Sequence, residues 1–434
     1  MRQRVAVRSA LVEIALVVVA VFVSSAVLFH DLPWNTAVNR QSLLPVAILF
    51  IVSAALGTML AAAMSSTAPP RPTYGRGLLI AGLTFLFMTA QLVAFRVYFS
   101  RAHLALTSLV WLVLLLANRW AIRRRPWTDH IVVISEADDL IEELSGSPHI
   151  DVMAVVPPDQ STPVPAPPVE SSLVVDLSRP LSVNMTRYVS ATSVAGRTVR
   201  PFDRVYEEHT GRVPLSHLSE GWEIESSLRR TLPFLPLKHV VDVALVVLTA
   251  VIWLPILLVA ALAVLITDGR PVFFRQHRVG LRGKEIEMLK LRSMYNDAEV
   301  GGARQARGGD PRITPIGHYL RAFRIDELPQ MINVLRGDLS IVGPRPEQLS
   351  FVEAYSRRIP FYDQRHLVRP GITGWAQVNS GYAASEEETI EKLSYDFYYL
   401  KHMSPMLDLE ILMRSVWTVV SGKGTMAAPP PPAA

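Results

Sequence analysis

The chain has 434 residues, 50% of them hydrophobic, with a positive mean hydropathy, a formal charge of +5 and no cysteine. That length accommodates two or more domains, and so apolar a composition is unusual for a soluble chain, so membrane segments are expected. Disulfides and thiolate metal sites are excluded. Lys and Arg gather beside apolar runs and no nucleic-acid reader motif is present, so an anionic membrane surface suits the charge better than DNA or RNA.

Residues 11–29, 43–64, 77–95 and 104–116 are apolar runs. The first three approach the ~20 residues that cross a bilayer core, and the fourth extends to 102–117. Arg2, Arg4, Arg8, Arg71, Arg76, Arg119, Arg123, Arg124 and Arg125 lie on one side of the resulting bundle, against Arg40, Arg96 and Arg101 on the other. The imbalance predicts four spans with both ends in the cytoplasm. Glu13, near the start of the first run, reads as a carboxylate that snorkels to the interface. The first run is too long for a secretory h-region and no cleavage signal follows it.

From Thr128 the texture changes. Short β-branched runs at 131–134, 152–156 and 173–176 alternate with a helical stretch at 138–144, which predicts a small α/β domain ending near Phe202. Ser135, Glu136 and Ala137 stand where a phosphate-cradling turn needs glycines, so a structural or dimerisation role is preferred to nucleotide binding. Residues 157–168 read as a Pro-rich loop, and 204–236 as a connector with an amphipathic piece at 222–228.

Residues 243–266 are apolar and long enough to cross a membrane. Yet Arg229, Arg230 and Lys238 flank one end and Arg270, Arg275 and Arg278 the other, and Pro255 near the middle removes a backbone donor. A re-entrant helix broken at Pro255 accommodates both facts, with Asp242 paired to Lys238 one turn earlier, and is preferred to the alternative of a straight span with the following domain outside.

Beyond Pro271 the cations Arg275, Arg278, Lys284, Lys290, Arg292, Arg312, Arg321 and Arg324 lead up to an adjacent acidic pair, Asp326 and Glu327, and then to the turn Gly343-Pro344-Arg345-Pro346. These cations either face lipid headgroups or clamp phosphates. Neighbouring residues on a helix point about 100° apart, so the two carboxylates are expected to divide the work, one attacking phosphorus or holding a divalent cation, the other holding the metal or managing protons. His277, His318, His366 and His402 lack metal-ligand spacing. Residues 395–399 and 407–420 read as interfacial amphipathic helices anchored by Tyr398, Tyr399 and Trp417, with core packing nearly as good a reading; 426–434 read as a disordered tail.

Lys238 and Asp242, PVFFRQHRVG (271–280), LKLRSM (289–294), DPRITPIGHYLR (310–321), DELPQMINVLRGDLSIVGPRPE (326–347), RPGITGWAQVN (369–379) and the stretch 395–417 together resemble the bacterial sugar transferases, the polyprenyl-phosphate hexose-1-phosphate transferases of the undecaprenyl-phosphate glucose or galactose type. The pattern covers about half of the chain, from near Lys238 to Gly424. It departs from the family at Gly269-Arg270-Pro271, where Gly-Pro is usual, and at Arg324-Ile325 ahead of the acidic pair.

The resemblance implies that Asp326 attacks the β-phosphate of a UDP-sugar, that UMP leaves, and that the phosphosugar passes to undecaprenyl phosphate. It implies Mg²⁺ held by Asp326 and Glu327, with Arg345, Pro344, Arg321, Lys290, Arg292, Arg312 and Arg275 as substrate-binding candidates. The expected architecture is a four-span α-helical membrane bundle (1–126), a degenerate Rossmann-like α/β domain (127–203), a linker (204–236) and a mainly α monotopic catalytic domain (237–425) whose re-entrant helix covers 239–266. The expected setting is the bacterial inner membrane with catalysis on the cytoplasmic side, among membrane lipids, without nucleic acid and with a homodimer left open. The product would start exopolysaccharide, capsule or O-antigen repeat units. Two other readings are a non-catalytic scaffold of a polysaccharide assembly complex and a metal-dependent lipid phosphohydrolase.

Overall fold

The computed structural model describes residues 2–31, 37–38, 41–42, 44–63, 74–96, 100–124, 128–159, 171–218, 234–295, 310–380 and 385–420. The pieces read as a Pro-rich loop beyond 159, as the amphipathic stretch 222–228 and as the tail 426–434 lie outside them. The chain is mostly helical, with several candidate membrane helices and a small α/β region. It divides into two compact units, Met1–Thr210 with Ser404–Glu410, and Gly211–Met403 with Ile411–Ala434.

In the first unit the apolar runs become helices α1 (Arg2–Phe29), α2 (Leu44–Ala63), α3 (Tyr74–Ala94) and α4 (Arg101–Arg124), each long and apolar enough to cross a membrane. Two-residue strands β1 (Ala37–Val38) and β2 (Gln41–Ser42) pair antiparallel between α1 and α2. Burial recurs every fourth residue on α4, at His103, Thr107, Trp111, Leu115 and Arg119, which makes one ridge of that helix the packing face. Gly77 lets α3 approach it closely, since a Cβ there would stand 2.7 Å from Leu115 Cδ2.

Glu13 does not snorkel. It is 2% exposed, its Oε2 accepts from Arg119 Nη2 at 2.7 Å, its Oε1 accepts from Ser9 Oγ at 3.2 Å, and its backbone carbonyl accepts from the Trp111 indole at 2.9 Å. A lone carboxylate in an apolar bundle is costly, and an arginine 106 positions away in sequence offsets that cost here.

The α/β region carries strands β3 (Asp129–Ile134), β4 (Ile150–Val156), β5 (Ser172–Val175) and β6 (Val199–Pro201) in the order β4-β3-β5-β6, all parallel. The run Ile131 to Ile134 is buried on both faces, as a central parallel strand requires. Helices α5 (Asp138–Ser145), α6 (Val183–Val194) and α7 (Phe202–Thr210) accompany the sheet. Residues 204–210, read from sequence as connector, belong to α7. Its stripe Phe202, Val205 and Tyr206 packs into the sheet core, too short a pattern to stand out in the sequence.

The second unit opens with α8 (Phe234–Leu248) and α9 (Ala250–Thr267), the latter also long and apolar enough to cross a membrane. The interruption lies at Thr249, upstream of the expected Pro255, which sits inside α9. Proline has no donor for the carbonyl of Val251 and crowds it, and the turn before absorbs the change. Across the interruption the Trp253 indole donates to the Val246 carbonyl at 2.9 Å. The antiparallel hairpin β7 (Phe273–Val279) and β8 (Glu285–Leu291) follows. Then come α10 (Pro315–Ala322), a 3-10 turn Ile325–Glu327, α11 (Gln330–Arg336), β9 (Ser340–Val342), α12 (Leu349–Ser356), β10 (Gly371–Thr373), α13 (Trp375–Asn379), α14 (Glu386–His402) and α15 (Pro405–Val420). Val246, Trp253, Leu257, Met288, Leu291, Leu320 and Val334 share one core.

Tyr399 is 1% exposed and donates to the Val342 carbonyl at 3.2 Å, so it is a core residue and not an interfacial anchor. Tyr398 stacks on Trp375 at 5.5 Å, whereas Trp417 is 68% exposed.

Candidate active site

The acidic pair is placed by a helix that stops abruptly. Thr314 caps α10, accepting from Gly317 N at 3.0 Å, and Pro315 fits its first turn. After Phe323 the chain turns at Arg324, whose φ of 55° is left-handed, and Asp326 and Glu327 follow in the tight turn Ile325–Glu327. Both carboxylates are buried, at 7% and 8% exposure.

Their surroundings differ. Glu327 Oε2 accepts from Arg324 Nη1 at 2.8 Å, and Oε1 accepts from Arg345 Nη2 at 3.3 Å. Burial opposes its charge, but Arg345, Arg324 and Lys290 outweigh it and hold Glu327 well below the usual carboxylate range. Among the described residues no hydrogen bond engages the Asp326 carboxylate. Burial and the neighbouring Glu327 charge push Asp326 up, against Lys290, Arg321 and Arg324. One group is thus a fixed anion and the other an unengaged one of raised basicity.

The cations come from separate elements. Strand alternation puts Lys290 on the hairpin face that also carries Gln276 and Arg278. Burial, with Arg345 and Arg278 nearby, lowers Lys290 to about 8 against the pull of Glu327 and Asp326. Arg321, on the last turn of α10, acts on Asp326, and its Nη1 is buried without a hydrogen-bond partner among the described residues.

Arg345 is held through its backbone. Arg365 Nη2 donates to its carbonyl at 3.0 Å and to Asp396 Oδ2 at 2.7 Å, while Nη1 reaches the Tyr362 hydroxyl at 2.7 Å. Arg278 Nη1 donates to the Pro346 carbonyl at 3.0 Å, and Gly371 N to the Pro344 carbonyl at 2.9 Å. A Cβ on Gly343 would lie 2.5 Å from the Arg369 carbonyl oxygen, so only glycine lets β9 and β10 meet there.

The structure brings Asp326, Glu327, Lys290, Arg321 and Arg345 together, with Pro344 shaping the Arg345 turn. It takes Arg275, Arg292 and Arg312 elsewhere. Arg275 is on the opposite hairpin face with Glu287, 3.3 Å away; Arg292 donates to the carbonyls of Asp268 and, at 2.9 Å, Gly269; Arg312 forks onto Asp310 at 2.6 and 2.9 Å. Sequence reading counted Arg278 and Arg324 among the cations ahead of the acidic pair without giving Arg278 its partners, and it missed Arg365, Asp396 and Tyr362. Arg365 and Asp396 lie 31 positions apart, and no local pattern links them. Lys238 and Asp242 are buried 3.9 Å apart, and Ser340 Oγ donates to Asp242 at 2.5 Å, which ties α8 to β9. Asn333 does the same between α11 and β8, accepting from Leu289 N at 3.0 Å and donating to the Glu287 carbonyl at 2.7 Å.

Among the described residues no three His, Asp or Glu side chains gather as a ready metal cage. The hard oxygens of Asp326 and Glu327 fit Mg²⁺ if phosphate oxygens and water complete its shell.

Fold and site define a membrane protein with a buried carboxylate pair ringed by cations on separate elements. The chain belongs to the bacterial sugar transferase family, whose description matches residues 234–422. It is 40% identical over 238 residues to the UDP-N-acetylgalactosamine-undecaprenyl-phosphate N-acetylgalactosaminephosphotransferase of Aeromonas hydrophila, covering 55% of this chain and 56% of that one. It is 43% identical over 181 residues to the UDP-glucose:undecaprenyl-phosphate glucose-1-phosphate transferase of Caulobacter vibrioides, covering 41% and 68%. With the protein of that same description from Escherichia coli K12 it shares 43% over 188 residues, covering 42% and 39%. The match thus spans only about half the length of the Aeromonas relative.

Proposed function

We propose that the chain transfers a sugar-1-phosphate from a UDP-sugar to undecaprenyl phosphate. The carrying observation is the asymmetry of the acidic pair, Glu327 held as an anion by two arginines beside an Asp326 whose carboxylate accepts no hydrogen bond among the described residues. An Asp326 oxygen attacks the sugar-bearing phosphorus, the bond to the bridging oxygen breaks and UMP leaves. An oxygen of the lipid phosphate then attacks the same phosphorus and frees the Asp326 carboxylate, leaving a diphosphate between sugar and lipid. Arg345, Lys290 and Arg321 offset the charge of the phosphates, and burial limits water as a competing nucleophile. Glu327 anchors Arg324 and Arg345. When bound, Mg²⁺ held by the two carboxylates would neutralise phosphate charge and favour UMP as a leaving group.

The bend at Thr249 and the cations at both ends of α8–α9 support a re-entrant pair dipping into one leaflet, and the loop charges support the cytoplasmic side of a bacterial inner membrane. The parallel order β4-β3-β5-β6 supports a Rossmann-like central region. The test is UMP release from a panel of UDP-sugars by membranes supplied with undecaprenyl phosphate and Mg²⁺. The wild-type chain is expected to release UMP with at least one sugar and Asp326→Asn with none; equal release by both defeats the reading. Release of inorganic phosphate without a nucleotide sugar would favour a phosphohydrolase.

A further inference from the structure

The bond from Arg292 N to the Val272 carbonyl, 2.9 Å, sets the alternation of the hairpin. Lys290, Met288 and Ile286 turn their backbone groups to β7, and Glu287 and Leu289 turn theirs to the other edge of β8. Among the described residues no third strand pairs there. A side chain takes that place. Asn333 of α11, 0% exposed, accepts from Leu289 N at 3.0 Å and donates to the Glu287 carbonyl at 2.7 Å, the two bonds that a residue of a parallel neighbouring strand makes around Met288. Its amide nitrogen also donates to Asp338 Oδ2 at 3.2 Å. An amide supplies this acceptor and both donors. A carboxylate would oppose the Glu287 carbonyl and Asp338, and an aliphatic side chain would leave both backbone groups of β8 unpaired.

Each end of this clamp leads into the site. Lys290 follows Leu289 directly. On the other side Leu328 N bonds to the Ile325 carbonyl at 3.1 Å, Met331 N to the Leu328 carbonyl at 3.1 Å and Ile332 N to the Pro329 carbonyl at 3.0 Å. The turn of Asp326 and Glu327 therefore runs into α11 as one hydrogen-bonded segment. Strand β8 packs against both the turn and α11, and its Met288 and Leu291 share a core with Ile325, Leu328 and Val334. The charges of Glu327 and Asp326 act on Lys290 from that turn, opposed by Arg278 on β7 and by Arg345.

We propose that Asn333 is a positioning residue: by completing the free edge of β8 it fixes that strand against the segment of the acidic pair, and so holds the Lys290 ammonium at the Asp326 and Glu327 carboxylates. The assignment rests on the transfer reading above. Loosening the clamp lets water reach Lys290. Burial is the first cause of its lowered value, so that value then moves back up.

The experiment compares Asn333→Ser with Val334→Ala, the fully buried neighbour on α11 that contributes packing without a side-chain hydrogen bond. Two quantities are measured on the full chain in detergent: kcat/KM for UMP release, and the pH midpoint for reductive methylation of Lys290, read from the mass of its peptide. Asn333→Ser is expected to lower kcat/KM about tenfold or more and to raise the Lys290 midpoint. Val334→Ala, at a comparable loss of Tm, leaves the midpoint in place. Should Asn333→Ser fail to fold, the half-buried Asp338→Ala, which removes the carboxylate partner of the amide, decides in its place. A midpoint at or below the parent's in Asn333→Ser, or an equal rise in Val334→Ala, overturns the positioning role. A raised midpoint in Asn333→Ser, with no UMP released by the parent from any UDP-sugar, overturns the transfer reading and leaves the coupling of Asn333 to Lys290 standing.

Discussion

Asp326 and Glu327 are adjacent in sequence and nearly equal in burial, yet their partners make them different reagents. Asp326→Asn is expected to lower UMP release by on the order of 10³-fold or more, and Arg345→Lys, which loses the planar fork, to lower kcat/KM by about tenfold or more, both checked in the membrane assay. The pH profile follows from two shifts of opposite sign. Asp326 is raised by burial and by Glu327, so its reactive anion is lost as pH falls through that raised value. Lys290 is lowered to about 8 by burial, with Arg345 and Arg278 adding to the effect, so its charge is lost as pH rises through that value. A bell-shaped kcat/KM is expected, and Lys290→Arg should extend its alkaline limb because guanidinium stays charged. An alkaline limb unmoved in that variant would remove Lys290 from the charge balance.

At the scale of elements, the site depends on close backbone approaches and on a bend. Gly343→Ala puts a Cβ 2.5 Å from the Arg369 carbonyl oxygen and 2.9 Å from Gly371 N, backbone atoms that cannot rotate away. A loss of about 1–3 kcal/mol is expected, read as a lower Tm with a displaced Arg345 turn. The α8–α9 bend makes a topological prediction that the cysteine-free sequence renders simple to read. Single cysteines at Leu237→Cys, in the first turn of α8, and at Lys284→Cys, beyond the end of α9, bracket the apolar run, and a re-entrant arrangement exposes both to a cytoplasmic thiol reagent. Periplasmic labelling of the second would establish a full crossing.

At the scale of the whole molecule, the first unit contains a buried ion pair that its helices alone do not demand. Glu13→Gln and Arg119→Met are each expected to cost about 3–5 kcal/mol because each strands a charge, while the double variant should cost less than their sum. Thermal unfolding of the full chain in a double-mutant cycle measures that coupling, and additivity would show that the pair is not coupled.

Features that repeat between near neighbours were legible along the chain. Apolar runs of span length marked α1 to α4 and α9, β-branched runs marked β3 to β5, and the ordered stretches around Asp326, Glu327 and Arg345 marked the site, because hydropathy and strand alternation act between near neighbours. Which charges meet became visible in the fold alone. Arg119 serves Glu13, Arg365 bridges Asp396 and the Arg345 backbone, and Arg292 grips carbonyls at the end of α9 while Lys290, two residues earlier, acts on the acidic pair. Identical guanidinium groups receive these separate tasks because pairing depends on distances across elements, and the order of residues along a chain does not carry those distances.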